Sequence, residues 1–158
     1  MTTIAYKNGV LAADGRMTAG GNIVTDKLEK IFDVGDRDYT VLGEKVLAYG
    51  LAGYLRAKLV LEYCMEEGLK VTSSIDTDDQ FSAIIVCEKR TFVVSKDEES
   101  AQLDFIEIPD GIPTAVGSGR VIATHILRDD KADPLDAVVA AMKSDVGSGG
   151  ETMRWVKS

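Results

Sequence analysis

Histidine is almost missing from this chain: there is one, His125, among 158 residues. A metalloprotease HExxH motif needs two histidines, and a Ser-His-Asp or Cys-His machine would have to run through this one. His125 sits inside the apolar, helical-looking stretch 121–127 and reads as a helix residue with no chemical task. A hydrolase built on this chain therefore needs another base. Cysteine is equally sparse. Cys64 and Cys87 are too few and too scattered for a disulfide framework or a zinc site. No apolar run approaches the ~18 residues of a membrane span, and the start lacks a signal-peptide pattern, so a soluble, cytoplasmic protein without membrane contact is expected. Basic residues are in the minority, 18 Lys plus Arg against 26 Asp plus Glu, and the net charge of −8 argues against a nucleic-acid partner. The glycines at 20–21 and 147–150 are not followed by the Gly-Lys-Ser/Thr of a P-loop. The acidic segment 76–79 lacks the length, glycine and final glutamate of an EF-hand loop.

What is present is ordinary globular material, 45% apolar and 28% charged, enough for one domain over 1–158 with a real core. The first third reads as strands and turns. Strands 3–7 and 10–13 flank Asn8 and Gly9, a strong hairpin signal. A second turn falls at Gly20 and Gly21, with short strands at 23–24 and 30–34 and a further hairpin from 39–42 and 46–49. From 52 to 67 the period changes: Leu55, Leu59 and Tyr63 recur at i, i+4 and i+8, predicting an amphipathic helix with those residues on its apolar face, ended by Gly68. A polar loop covers 72–80. Strands follow at 82–88 and 91–95, then at 102–108 and 112–116. Helices are expected at 117–128 and 134–145, the latter capped by Asp133 with Pro134 in its first turn, and a last strand at 152–156. This order lacks the regular alternation of a parallel α/β sheet and predicts an α+β fold of two antiparallel sheets with helices outside.

The chemistry begins at the start of the chain. Met1 precedes a small residue, so its removal would leave Thr2 with a free α-amine. A terminal threonine carries both a nucleophile, its Oγ, and a base, its own amine, whose reference pKa of ~7.7–8.0 lies near neutrality. That pair needs no histidine. A nearby cation would favour the neutral amine; Lys30 could supply it and Asp14 could hold Lys30.

At this point the residues resemble a family. Thr2, Thr3 and Ile4, then Ala13, Asp14 and Gly15, then Lys30, Ile31 and Phe32 are similar to the start of proteasome β subunits and of the bacterial peptidase HslV, with a shorter first hairpin. Gly50, Leu51, Ala52 and Gly53 look like the family's oxyanion segment. Gly117, Ser118 and Gly119 look like the opening of its third helix, and Asp145, Ser148, Gly149 and Gly150 match its Asp-x-x-Ser-Gly-Gly signature. The resemblance runs in order across nearly the whole chain. It implies a four-layer αββα sandwich of the N-terminal nucleophile (Ntn) hydrolase type, and a threonine endopeptidase in a self-compartmentalised protease. Thr2 would be nucleophile and base, with Asp14 and Lys30 tuning the amine, Ser118, Asp145 and Ser148 orienting it, and the Gly53 N–H facing the oxyanion. The family's substrate pocket maps onto Met17, Leu28, Phe32 and Leu51, all apolar, which favours cleavage after apolar residues. No metal or cofactor is implied. The implied partners are a peptide or unfolded protein substrate, further copies in a homo-oligomeric ring, and an AAA+ ATPase. One departure stands out: a single helix, where the family has two, lies between the oxyanion glycine and the following strands, so one outer layer is shortened. Two other classes fit the same residues, an inactive scaffold subunit of the same fold and a stand-alone Ntn amidohydrolase acting on small amides.

Overall fold

The computed structural model describes residues 2–75 and 77–158, so the Met1 and Asp76 features above lie outside the described residues. In chain order the elements are β1 (Thr3–Lys7), β2 (Val10–Ala13), β3 (Met17–Ala19), β4 (Asn22–Thr25), β5 (Ile31–Asp33), β6 (Thr40–Val41), β7 (Glu44–Gly53), α1 (Ala57–Glu67), β8 (Phe81–Cys87), β9 (Thr91–Lys96), β10 (Asp104–Ile108), β11 (Thr114–Gly117), α2 (Arg120–Leu127), α3 (Pro134–Ser144) and β12 (Met153–Val156). The result is a mixed α/β fold with several antiparallel sheets and three helices among the described residues. It divides into two compact units, one built from residues up to 32 and from 110 onward, the other from 33–109.

The first unit carries a four-stranded antiparallel sheet in the order β11-β1-β2-β12. Its founding hairpin turns on Asn8 (φ 50°) and Gly9 (φ 81°), the two left-handed residues that a tight two-residue connection requires. The turn sets the register, with Ile4 opposite Ala13 and Lys7 opposite Val10. α2 and α3 pack on this sheet through Ala5, Ala12, Ala123, Leu127, Ala137 and Val138, all fully buried. These mostly small residues let helix and strand backbones approach closely. α3 begins with a reciprocal capping box: Asp133 accepts from the Leu135 N–H at 2.9 Å, and Asp136 accepts from the Asp133 N–H at 3.0 Å. Lys7 is buried and donates from Nζ to the Leu127 and Asp129 carbonyls at 2.9 and 3.0 Å, closing the C-terminal end of α2. β3 and β4 form a two-stranded ribbon outside both larger sheets, with Ile23 and Val24 exposed.

The second unit holds the path β10-β9-β8-β7, with β6 paired to β7. From Ala83 to Cys87 β8 is an unbroken apolar run, all of it fully buried. α1 is fastened to this sheet by a partly buried polar knot. Glu62 accepts from Tyr49 and Lys58, while Tyr39 reaches its other oxygen at 3.4 Å.

Two expectations about α1 are corrected. The helix starts at Ala57 rather than 52, because Ala52 and Gly53 continue β7, opposite Ser82 and Phe81. Its buried face is Ala57, Leu61 and Met65, whereas Leu55, Leu59 and Tyr63 are half to two-thirds exposed. Both triplets recur at i, i+4 and i+8, and tertiary pairing selects between them. Likewise α2 starts at Arg120 rather than 117, since Gly117 still pairs with Thr3 at the end of β11. One helix, α1, lies between β7 and β8 among the described residues. No helix there is long and apolar enough to cross a membrane.

Candidate active site

The start of β1 is enclosed by polar groups. Thr2 and Thr3 are buried, and so are Asp14, Lys30 and Ser148, all in the first unit. Asp14 ends up here because it follows directly on β2, whose Ala13 lies opposite Ile4. Its carboxylate is the hub. Oδ1 accepts from the Thr3 N–H at 3.0 Å and from Lys30 Nζ at 2.8 Å. Oδ2 accepts from the Gly149 N–H at 2.9 Å and the Arg16 N–H at 3.3 Å. Lys30 Nζ also donates to the Arg16 carbonyl at 2.7 Å. Both members of this ion pair are essentially out of solvent, Lys30 at 3% and Asp14 at 0% exposure. Burial pushes the Lys30 ammonium below its ordinary range, against the opposing bond to Asp14.

A second network, centred on Asp145, meets the same Thr2–Thr3 segment. Ser118 and Ser148 both donate to Asp145 Oδ2, Ser148 at 2.6 Å, and the Gly147 N–H reaches Oδ1 at 3.3 Å. Burial pushes the Asp145 carboxyl up, but the bonds from Ser118, Ser148 and Gly147 outweigh it and hold it below the usual carboxylate range. An ionised carboxylate only accepts, so each serine spends its single proton on Asp145. Thr3 Oγ1 and Ser148 Oγ are 2.6 Å apart, and with the serine proton committed, the Thr3 hydroxyl is the donor. Ser148 therefore turns a lone pair toward Thr3, while Ser118 Oγ also lies 3.4 Å from the Thr2 carbonyl oxygen, a second acceptor for its proton.

Glycine geometry explains how closely these pieces meet. A Cβ on Gly117 would lie 2.0 Å from the Thr2 carbonyl oxygen, and one on Gly119 would lie 2.0 Å from Thr3 Oγ1. Any side chain at either position would push β1 off the N-terminal end of α2. The Gly119 N–H there points to the Thr2 carbonyl at 3.4 Å.

The structure thus brings Thr2, Asp14, Lys30, Ser118, Asp145 and Ser148 into one neighbourhood. The remaining candidates fall in both units. Met17, Leu28 and Phe32 are half-buried residues of the first unit, while Leu51 is buried and Gly53 exposed in the second. Gly53 has φ 128°, and a Cβ there would lie 2.5 Å from the Gln80 carbonyl, so only glycine fits. His125 lies exposed on α2. Among the described residues no group of three or more His, Cys, Asp or Glu could hold a metal ion.

Sequence reasoning missed Thr3, whose N–H and Oγ1 join the two networks, and Arg16, whose carbonyl is the second acceptor of Lys30. A second β-branched hydroxyl beside Thr2 was the available signal for Thr3. Nothing local marks Arg16.

A scan of protein-family models gives no match. Among curated proteins, the chain is 27% identical over 167 residues to proteasome subunit beta 1 of Thermococcus kodakarensis, across 93% of this chain and 82% of that protein. Among solved structures, Thiobacillus denitrificans BPH matches with a TM-score of 0.65 and 20% identity, covering 99% of this chain and 97% of that one; at such identity the likeness is one of fold. The chain is similar to a proteasome β subunit over nearly its full length.

Proposed function

We propose that this chain is a threonine-type endopeptidase of the proteasome-like Ntn hydrolase class, with Thr2 as nucleophile and base once Met1 is removed. The observation that carries the reading is the Lys30–Asp14 ion pair, held out of solvent beside the Thr2–Thr3 segment. A buried ion pair is costly to desolvate and gives little net stability, so its retention here favours a chemical task. The distant likeness to a proteasome β subunit supports the same class.

In this mechanism Thr2 Oγ attacks the scissile carbonyl carbon and its proton passes to the Thr2 amine. The tetrahedral intermediate collapses as the amine gives that proton to the leaving nitrogen. Water, deprotonated by the same amine, then cleaves the acyl ester and restores Thr2. Lys30 supplies the positive charge that keeps the amine neutral, and Asp14 fixes Lys30. Ser118, Asp145 and Ser148 orient the amine, Ser148 with a lone pair because Asp145 takes its proton. The Gly53 N–H is assigned to the oxyanion, where losing one donor typically costs ~10²–10³ in rate. Met17, Leu28, Phe32 and Leu51 are assigned to an apolar substrate pocket, giving cleavage after apolar residues.

The same reading takes the four-layer αββα sandwich with one helix layer shortened, a homo-oligomeric ring in the cytoplasm that encloses the sites, and an AAA+ ATPase as feeder. Thr2→Ala is the deciding experiment. The variant is expected to fold, by circular dichroism, and to lose all hydrolysis of a fluorogenic peptide with an apolar residue before the cleaved bond. Full activity in that variant would refute the mechanism. Native mass spectrometry tests assembly, and a 17.0 kDa monomer that still cleaves small amides would favour the stand-alone amidohydrolase.

A further inference from the structure

The loop after α3 bears Ser148 but has almost nothing apolar to anchor it. Val146 is 90% exposed, 147, 149 and 150 are glycines, and Glu151 points to solvent. Besides the Thr3–Ser148 and Asp14–Gly149 bonds described above, its position rests on polar contacts to two short segments at the base of the β3–β4 ribbon. Arg16 precedes β3 and Asp26 follows β4, and Met17 pairs with Thr25 between them. Across that base Arg16 Nε donates to Asp26 Oδ1 at 2.9 Å and Nη2 approaches Oδ2 at 3.5 Å. Arg16 Nη1 donates to the Val146 carbonyl at 3.2 Å. The guanidinium lies flat on Gly149, where a Cβ would meet Arg16 Cζ at 2.4 Å. Asp26 does the same further along: its carbonyl accepts from the Glu151 N–H at 2.8 Å, and a Cβ on Gly150 would lie 2.4 Å from that oxygen. The Gly15 N–H completes the strap, donating to the Gly149 carbonyl at 3.0 Å.

We infer that the Arg16–Asp26 pair is a positioning clamp that sets the Ser148 loop and Lys30 in register with each other. The reason is connectivity. The same Arg16 whose side chain holds the loop offers its carbonyl to Lys30 Nζ and its N–H to Asp14. Release the guanidinium and both sides of the site loosen: the loop loses its hold at 146 and 149, and the residue-16 carbonyl that accepts from Lys30 loses its side-chain anchor. Lysine at 16 would keep the charge but has no planar fork to reach Asp26 and Val146 together. Neither Arg16 nor Asp26 need touch substrate. The kinetic part of this inference rests on the Thr2 reading above, while the structural part does not.

The test uses Arg16→Ala, Arg16→Lys and Asp26→Ala in the full chain, with two readouts. Amide hydrogen exchange is followed at Gly149 and Glu151, with β8 amides as the folding control. Peptide hydrolysis is followed against pH, per active site counted from the acyl-enzyme burst. Exchange at Gly149 and Glu151 is expected to speed at least ~10-fold with β8 unchanged. kcat is expected to fall ~10²-fold with KM near wild type, the scale of a misplaced catalytic group. The acid limb of the pH profile is expected to move to higher pH, because a Lys30 freed from the Arg16 carbonyl swings toward Asp14 and depresses the amine less. Arg16→Lys should recover only a minor part of each effect. Unchanged exchange at Gly149 and Glu151 would overturn the clamp. Faster exchange with unaltered kcat and pH limb would overturn the positioning role and leave a merely structural strap. If the wild type itself hydrolyses no peptide, the Thr2 reading falls and the positioning role with it, while exchange still decides whether the pair holds the loop.

Discussion

Removing one member of the Lys30–Asp14 pair is expected to have very different consequences according to which member goes. Asp14 accepts four bonds, from Lys30 Nζ and from the Thr3, Arg16 and Gly149 N–H groups. Asp14→Ala therefore strands a buried ammonium with a single remaining acceptor, the Arg16 carbonyl, and orphans buried N–H donors. Breaking a buried pair costs ~3–5 kcal/mol, and each unsatisfied buried donor adds ~1–3 kcal/mol. Lys30→Met leaves a carboxylate that still accepts three N–H bonds, so its cost should sit at the low end, ~3 kcal/mol. At ~2–4 °C per kcal/mol for a chain of this size, Lys30→Met should lower the thermal midpoint by ~6–12 °C, and Asp14→Ala by clearly more. The double variant should cost less than the sum. The pH dependence has a definite sign. The Lys30 ammonium is pushed below its ordinary range in the folded state, so the unfolded chain binds that proton more tightly. The Lys30 contribution to stability therefore rises with pH through the folded pKa and levels off near the unfolded value of ~10.4. The alkaline slope should be shallower in Lys30→Met. Thermal melts and urea titrations monitored by circular dichroism, at several pH values, measure all of this. Equal costs for the two single variants, or strict additivity in the double, would refute the idea of a carboxylate hub serving a buried cation.

Three other outcomes are expected. Thr3→Val keeps the shape but removes the hydroxyl that donates to Ser148; it should cost ~1 kcal/mol in urea unfolding and slow peptide hydrolysis more than stability alone explains. Asp145 is held below the usual carboxylate range when folded, so its stabilisation is present above ~pH 4 and lost as pH falls through the folded pKa; Asp145→Asn should flatten the acid unfolding curve in that window. Leu61→Ala should cost ~2–5 kcal/mol, whereas Leu59→Lys should stay within ~0.5 kcal/mol, and the reverse ranking would restore the helix face expected from spacing.

What could be read from the sequence was local chemistry. Asn8 and Gly9 dictate a turn wherever they occur between two strands, and Asp133 with Pro134 announces a helix start through its own side chain. The face of α1 was not legible because two apolar triplets, Leu55, Leu59, Tyr63 and Ala57, Leu61, Met65, share one spacing, and only the pairing of Ala52 and Gly53 with β8 decides where strand yields to helix. The site divides the same way. Thr2, Asp14 and Lys30 could be singled out as residue types that make an amine work. The roles of Thr3, Arg16 and Asp26 depend on contacts reaching up to 145 residues along the chain, and no pattern of neighbours encodes those.

The burial of Lys7 has a further consequence. The first strand rises ~13 Å from Thr3 to Lys7, and the eight-residue α2 spans ~12 Å. The strand is thus cut to the length of the helix beside it. Its opening residues meet the amino end of α2 at Gly119, and its closing lysine meets the carboxyl end at Leu127 and Asp129. The helix serves as a ruler for the strand. Thr2 cannot slide along the sheet without pulling a cation off the negative end of α2, and α2 cannot gain or lose a residue without breaking contact at one end. The placement of Thr2 is gauged at the far end of the helix beside its strand.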